Sequence, residues 1–348
     1  MEADRRVGDE MSSLSLAIWL ALTAAGTDTG PKRFEFTGIE MAVPVRIVLY
    51  AENEAVAKSA SAAALARIRE LNAVMSDYDP TSEVRHLSAA SGSGQSTKVG
   101  DDLWRVLLRS KELSEESGGA FDVSIGPVVR LWRRARRQEE LPTPERLAEA
   151  KAAVGYQAIE FDESAQAVRL TRPGMWIDLG GIAKGYAIDA ALQVLAAHGI
   201  RSALVDAGGD IGLGDAPPDR PGWVIGVAAL ERDAKPSLFL SLSNVAIATS
   251  GDSWQFVEIG GKRYSHLVDP RTGIGLTDHS SVTVIARDAM TADGLASAVS
   301  VLGPEAGLKL IDGLDGTATF IVRAPEGRVE TYRSARWKEY REVKPEGL

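Results

Sequence analysis

The nine residues Asp178-Leu179-Gly180-Gly181-Ile182-Ala183-Lys184-Gly185-Tyr186 concentrate more chemistry than any other stretch of this chain. They read as a strand end that passes through paired glycines into a helix with a lysine in its first turn. Free backbone N–H groups and the positive end of the helix dipole favour phosphate at such a start, glycines permit close approach, and Lys184 adds charge. The run is neither a Walker loop nor a dinucleotide fingerprint, and a glycine turn before a merely packed helix looks the same. A second pair is Asp293 and Ser297, four apart in a predicted helix and so one turn from each other on one face. Carboxylate and hydroxyl are hard oxygen donors, and magnesium needs few of them when phosphate oxygens and waters complete its octahedron. Taken alone, the same pair describes many solvent-facing helices.

Two polar runs accompany these, Thr249-Ser250-Gly251-Asp252 and Ser265-His266-Leu267-Val268-Asp269-Pro270-Arg271-Thr272-Gly273. Of the four histidines only His266 stands in a compact polar cluster, and His86, His198 and His279 read as incidental. A Ser/His/Asp hydrolase triad is rejected. Ser265 adjoins His266 in a strand, where successive side chains point to opposite faces, and no nucleophile elbow is present. A core histidine satisfied by hydrogen bonds is the competing reading of His266. Between two glycine turns, Gly118-Gly119-Ala120-Phe121-Asp122-Val123-Ser124-Ile125-Gly126-Pro127 carries a carboxylate, and Met75-Ser76-Asp77-Tyr78 ends a helix with a ring able to stack. A wet loop is the plain reading of both. Gly209, Gly212 and Gly214 lie between strands rather than ahead of a helix, which removes them as a nucleotide loop.

The elements that must hold these residues follow from periodicity. Alternation over 34–50, with Val43, Val45, Ile47 and Leu49 on one face and Pro44, Arg46 and Val48 on the other, predicts an opening hairpin. Helical spacing predicts helices over 54–75, 101–117 with an Asp N-cap, from Thr143-Pro144 to Gly155, 182–198, 289–302 and 304–312. Strands are expected at 203–206, 281–286, 317–323 and 328–333, and a tight glycine turn joins 257–259 to 263–265. Leu131 to Glu140 (LWRRARRQEE) reads as a solvated helix face in preference to an anion-binding patch, because charge runs usually face water. The whole is α+β, with no repeat and no linker between independent domains.

With 348 residues, 45% hydrophobic and 25% charged, the chain has the composition of a globular protein. The absence of cysteine excludes disulfides, thiolate metal sites and a cysteine nucleophile. A net charge of -9 argues against nucleic acid as a partner. The apolar run Leu14 to Ala25 has the length of a signal h-region, although Glu2, Asp4, Asp9 and Glu10 offset Arg5 and Arg6. Residues 1–30 are therefore expected to be a leader directing export, with a cytoplasmic chain as the alternative; 31–340 are expected to form one domain and 341–348 a tail.

The ordered motifs carry a resemblance. Tyr78 with its Pro-x-Ser-Glu tail, Gly-Gly-Ala-Phe-Asp at 118–122, the 178–186 run, Val-Asp-Ala-Gly-Gly-Asp at 205–210, Thr-Ser-Gly-Asp at 249–252, Tyr-Ser-His-Leu-Val-Asp-Pro-Arg-Thr-Gly at 264–273 and Ala-Met-Thr-Ala-Asp at 289–293 are similar to the ApbE family, whose members are FAD:protein FMN transferases. The likeness spans roughly 34–332. It implies largely antiparallel sheets packed with helices and an active site in a cleft between two abutting lobes. It implies that FAD is the substrate, with Met41, Ser76, Tyr78, Asp122, Lys184, His266 and Leu267 lining its site, and that Gly181 (through its carbonyl), Asp293 and Ser297 hold Mg2+. The partner would be an acceptor flavoprotein bearing a Ser or Thr hydroxyl, such as a membrane redox subunit, with His266, Asp252 or Asp269 as the base; the sequence leaves these three open. An FAD pyrophosphatase and a non-catalytic flavin-delivery protein are the rival readings, and retention of Asp293 and Ser297 speaks against the second. Here Met41-Ala42-Val43 stands where the family usually has Met-Gly, serine replaces a frequent threonine at 297, and the lipid-anchor cysteine is missing.

Overall fold

The computed structural model describes residues 30–344 apart from positions 228, 232, 233, 237, 253 and 254. The signal-like run at 14–25 lies outside the described residues. Pro31 onward forms one compact unit.

Eight strands make the central sheet: Lys32–Glu40, Val43–Ala51, Ala203–Ala207, Asp210–Leu213, Ala246–Gly251, Ser280–Ala286, Ala318–Arg323 and Glu330–Arg333. Their order in the sheet follows their order in the chain, and every neighbouring pair is antiparallel. The site elements are therefore excursions from a meander. One long insertion, between Ala51 and Ala203, carries helices α1 (Glu54–Met75), α2 (Glu83–Ala89), α3 (Asp101–Glu116), α4 (Gly126–Gln138), α5 (Pro144–Ala152) and α6 (Ala183–Ala197). A later one carries α7 (Ala289–Gly313).

The alternation expected in the opening hairpin is present: Val45, Ile47 and Leu49 enter the core under the helices, while Val48 enters a second core on the opposite face. That second core is closed by a small sheet of Trp223–Gly226, Phe239–Leu242 and Arg341–Glu342. Arg341 and Glu342 thus belong to a strand rather than to a tail. On the helical side α1 buries Ala57, Ala60, Ala64, Ile68, Leu71 and Met75, the small residues letting it lie close to the sheet, and Asn53 caps it by accepting from Val56 N at 3.0 Å.

One boundary differs from expectation. The cap of α3 is Gly100, whose N–H is held by Glu83 Oε1; Asp101 lies inside the first turn, where its charge complements the dipole. The two helices predicted at 289–302 and 304–312 are present as the two segments of α7, separated at Gly303 (φ 74), since Pro304 cannot continue the hydrogen-bond ladder. The basic run belongs to α4, which begins at Gly126-Pro127 and buries Val128, Trp132 and Ala135 against Val154, Val257, Tyr264 and Val268.

Candidate active site

Helices α6 and α7 cross at a point that only glycine allows. A Cβ on Gly185 would lie 2.2 Å from the Ala289 carbonyl oxygen, so the backbones touch there. Asp189, one turn further along α6, caps α7 by accepting from Ala289 N at 2.8 Å and Met290 N at 2.9 Å. Burial pushes its carboxyl up to about 7 against those two bonds. The crossing brings the 178–186 run against Asp293 and Ser297. Gly185 N donates to Asp293 Oδ2 at 3.2 Å, and a Cβ on Gly181 would sit 2.9 Å from Ser297 Oγ. Ser250 Oγ lies 3.5 Å from the same hydroxyl.

Asp293 is 3% exposed. Burial raises its pKa to about 7; Lys184 opposes that shift and Asp210 adds to it. Lys184 forms an ion pair with Asp210 and lies 3.8 Å from Asp293 Oδ1. Burial alone would lower the ammonium's pKa, but Asp293 and Asp210 outweigh it and hold the group above its ordinary range. The expectation of an open first-turn lysine facing phosphate is corrected: its charge is engaged by two carboxylates. Two acids facing one base leave a local deficit of positive charge, and the Gly181 backbone, Asp293 and Ser297 form a hard-oxygen set beside it. These residues fit a small divalent cation. Among the described residues no three His, Asp or Glu side chains group as a metal site.

His266 approaches from the segment after the hairpin of Phe256–Ile259 and Lys262–Ser265. Its Nδ1 lies 3.2 Å from the Gln255 carbonyl oxygen, which also accepts from His266 N at 2.9 Å. A carbonyl can only accept, so this contact places the proton on Nδ1 and leaves the Nε2 lone pair available. Desolvation lowers the pKa to about 4, the Gln255 bond opposing it and Arg136 and Lys184 reinforcing it. With that pKa the imidazole is neutral at neutral pH. Leu267 N donates to Ser265 Oγ at 3.1 Å, which fixes the strand beyond it.

The other two candidate bases are already committed. Asp252 accepts from Arg263 Nε at 2.5 Å and Ser280 N at 3.3 Å and meets His279 Nδ1 at 2.6 Å. Asp269 accepts from Arg271 N and Nε, both at 2.9 Å, and closes the Pro270–Gly273 turn through its carbonyl. Both are clamps of loop geometry, and His279, read as incidental, is part of one. Asp122 is similar: its oxygens accept from Ser124 N, Ser124 Oγ and Tyr156 N at 2.8, 2.7 and 2.9 Å, and the neighbouring Phe121 reaches within 3.5 Å of the Cβ position of Gly181. Ser76 holds the loop after α1 by accepting from Ser82 Oγ at 2.7 Å through its carbonyl. Met41 lies in the first hairpin turn with φ 51, partly buried against the helical core.

Tyr78 is 74% exposed, with the Arg133 guanidinium 4.4 Å from its ring centroid. Arg133 ion-pairs with Asp77 and, at 2.8 Å, with Asp178, whose other oxygen accepts from Gly180 N at 2.9 Å. The flavin-stacking candidate and the glycine turn are therefore tied by one arginine. The run 131–140 is thus solvated on only one flank, where Arg134 and Arg137 are exposed, while Arg133 turns to the site. Arg133 and Asp210 escaped the sequence reading; the three-residue spacing of Arg133 and Arg136 on one helix flank was the available signal.

The comparisons with known proteins agree with this geometry. A family model described as "ApbE family" matches residues 41–321. The chain is 32% identical to the FAD:protein FMN transferase of Haemophilus influenzae over 80% of its own length and 82% of that protein. It is 35% identical to the protein of the same name from Treponema pallidum, over 76% and 79% respectively. The solved flavin transferase ApbE from Vibrio cholerae superposes with a TM-score of 0.80 at 27% identity, covering 89% of this chain and all of that one. The motifs that meet around Asp293 all lie within the matched span, and the chain belongs to the ApbE family.

Proposed function

We propose that this chain transfers FMN from FAD to a Ser or Thr hydroxyl of an acceptor protein in a magnesium-dependent reaction that releases AMP. The observation that carries the reading is the buried Asp293, which accepts from Gly185 N, shares Lys184 with Asp210 and lies one turn from the Ser297 hydroxyl set against Gly181. The names borne by the relatives support the same activity. Asp293, Ser297 and the Gly181 carbonyl would hold magnesium, which when bound neutralises charge on the pyrophosphate. The exposed face of Tyr78 is suited to stack on the isoalloxazine ring. His266 Nε2 accepts the proton of the acceptor hydroxyl as its oxygen bonds the flavin-side phosphorus. The bond from that phosphorus to the bridging oxygen breaks, and the electron pair leaves with AMP.

Asp293→Asn tests this at the site. It keeps the side-chain volume and removes the charge, so transfer at limiting magnesium should fall by two or more orders of magnitude and recover only partly at high magnesium. Activity and magnesium dependence equal to the parent's would remove Asp293 from the metal and the reading with it.

A further inference from the structure

Three cations surround the reaction site, and they differ in what they face. Lys184 stands between Asp210 and Asp293, and Arg133 between Asp77 and Asp178. Arg136 is half-buried one turn beyond Arg133, and among the described residues its partner is a neutral one, Gln255 Oε1 at 3.2 Å from Nη1. A guanidinium drawn out of water with no anion opposite is unfavourable unless a ligand supplies one. Burial lowers its pKa, and Arg133 adds to that by repulsion. Gln255 is the residue whose carbonyl holds His266, so Arg136, Gln255 and His266 form a continuous line toward the candidate base. At the other end, Arg133 lies over Tyr78. This guanidinium, with only a neutral partner among the described residues, therefore sits between the group that would take the acceptor proton and the group that would hold the flavin ring.

We propose that Arg136 is a binding and catalytic residue that donates from its guanidinium to anionic oxygens of the FAD pyrophosphate. A planar fork suits two phosphate oxygens, and in a partly desolvated site it holds charge as it builds on the leaving phosphate. With Lys184 engaged by carboxylates, Arg136 takes the role that sequence assigned to the lysine. The inference rests on the transferase reading above.

The test compares FAD with riboflavin, which shares the ring and ribityl chain but carries no phosphate. Parent, Arg136→Ala, Arg136→Lys and Arg134→Ala chains are titrated with each by flavin fluorescence, with magnesium and without acceptor. Arg134 is the control, an exposed arginine of the same helix bonded to Gln138 Oε1 at 2.6 Å. Arg136→Ala should weaken FAD roughly 10- to 100-fold, the size of a lost charge-assisted bond, and leave riboflavin within about two-fold. Arg136→Lys should fall between, and Arg134→Ala should match the parent. Melting curves accompany each variant, and Arg136→Gln replaces an alanine variant that does not fold. Equal losses for both flavins, no loss for either, or the same loss in Arg134→Ala would overturn the assignment. A parent that fails to bind FAD refutes the transferase reading itself, whereas a parent that binds FAD beside an unaltered Arg136→Ala refutes only this inference.

Discussion

His266 and Lys184 show how far neighbours decide what a side chain does. His266 stands out in the sequence because of the polar residues around it, and the segment after the 256–265 hairpin brings it within electrostatic reach of Lys184 and Arg136. Its lowered pKa, about 4, comes from burial and from Arg136 and Lys184, residues far away in sequence that no local pattern links to it. The sign of the consequence is fixed. A base must be neutral, and this imidazole protonates only as pH falls through about 4, so its transfer rate should stay level through neutral pH and decline only there. His266→Asn should lower the single-turnover rate by roughly 10²–10⁴-fold with FAD affinity nearly unchanged, and should abolish that acidic limb. Rates at saturating FAD and acceptor across acid to neutral pH provide the check; an identical limb in the variant would rule out the base role. Lys184 teaches the reverse lesson. A lysine in the first turn after paired glycines reads as a phosphate ligand, yet Asp210, the last residue of the 205–210 motif, claims it from the strand Asp210–Leu213.

At the level of elements, patterns confined to one segment were legible and patterns needing two were not. The helices of the long insertion, the Gly303-Pro304 break and the face alternation of the first hairpin follow from spacing and from proline and glycine chemistry. For α4 the apolar positions Val128, Trp132 and Ala135 give the buried stripe. Which flank of that stripe meets the site depends on where Trp132 docks, and its Nε1 donates to the Gly273 carbonyl at 2.8 Å, in a turn more than a hundred residues later. The first hairpin carries a local conflict. Glu40 pairs with Val43, leaving a two-residue turn in which Met41 has φ 51 and Ala42 φ 60. That geometry belongs to glycine or asparagine, and the Cβ of alanine makes it unfavourable by about 1–2 kcal/mol. Ala42→Gly should therefore raise stability by about 1 kcal/mol after allowing for the added freedom of the unfolded chain, measured by denaturant unfolding. A loss of stability would mean that the turn is not held left-handed.

Over the whole molecule, a chain-order antiparallel meander supplies a rigid platform, and its insertions deliver one part of the site each: α4, α6 and the glycine turn from the first, the His266 segment from another, α7 from a third. Fold class and family were legible because the motifs are local and ordered; the pairing of charges among the insertions was not, because it exists only once the sheet is formed. The proposed reaction moves FMN to a hydroxyl rather than to water. It is tested by incubating the chain with FAD, magnesium and a candidate acceptor protein, and counting AMP released against flavin covalently held by the acceptor. The expected result is one bound FMN for each AMP, with both lost when magnesium is chelated. AMP accompanied by free FMN and an unmodified acceptor, or no AMP at all, would contradict it.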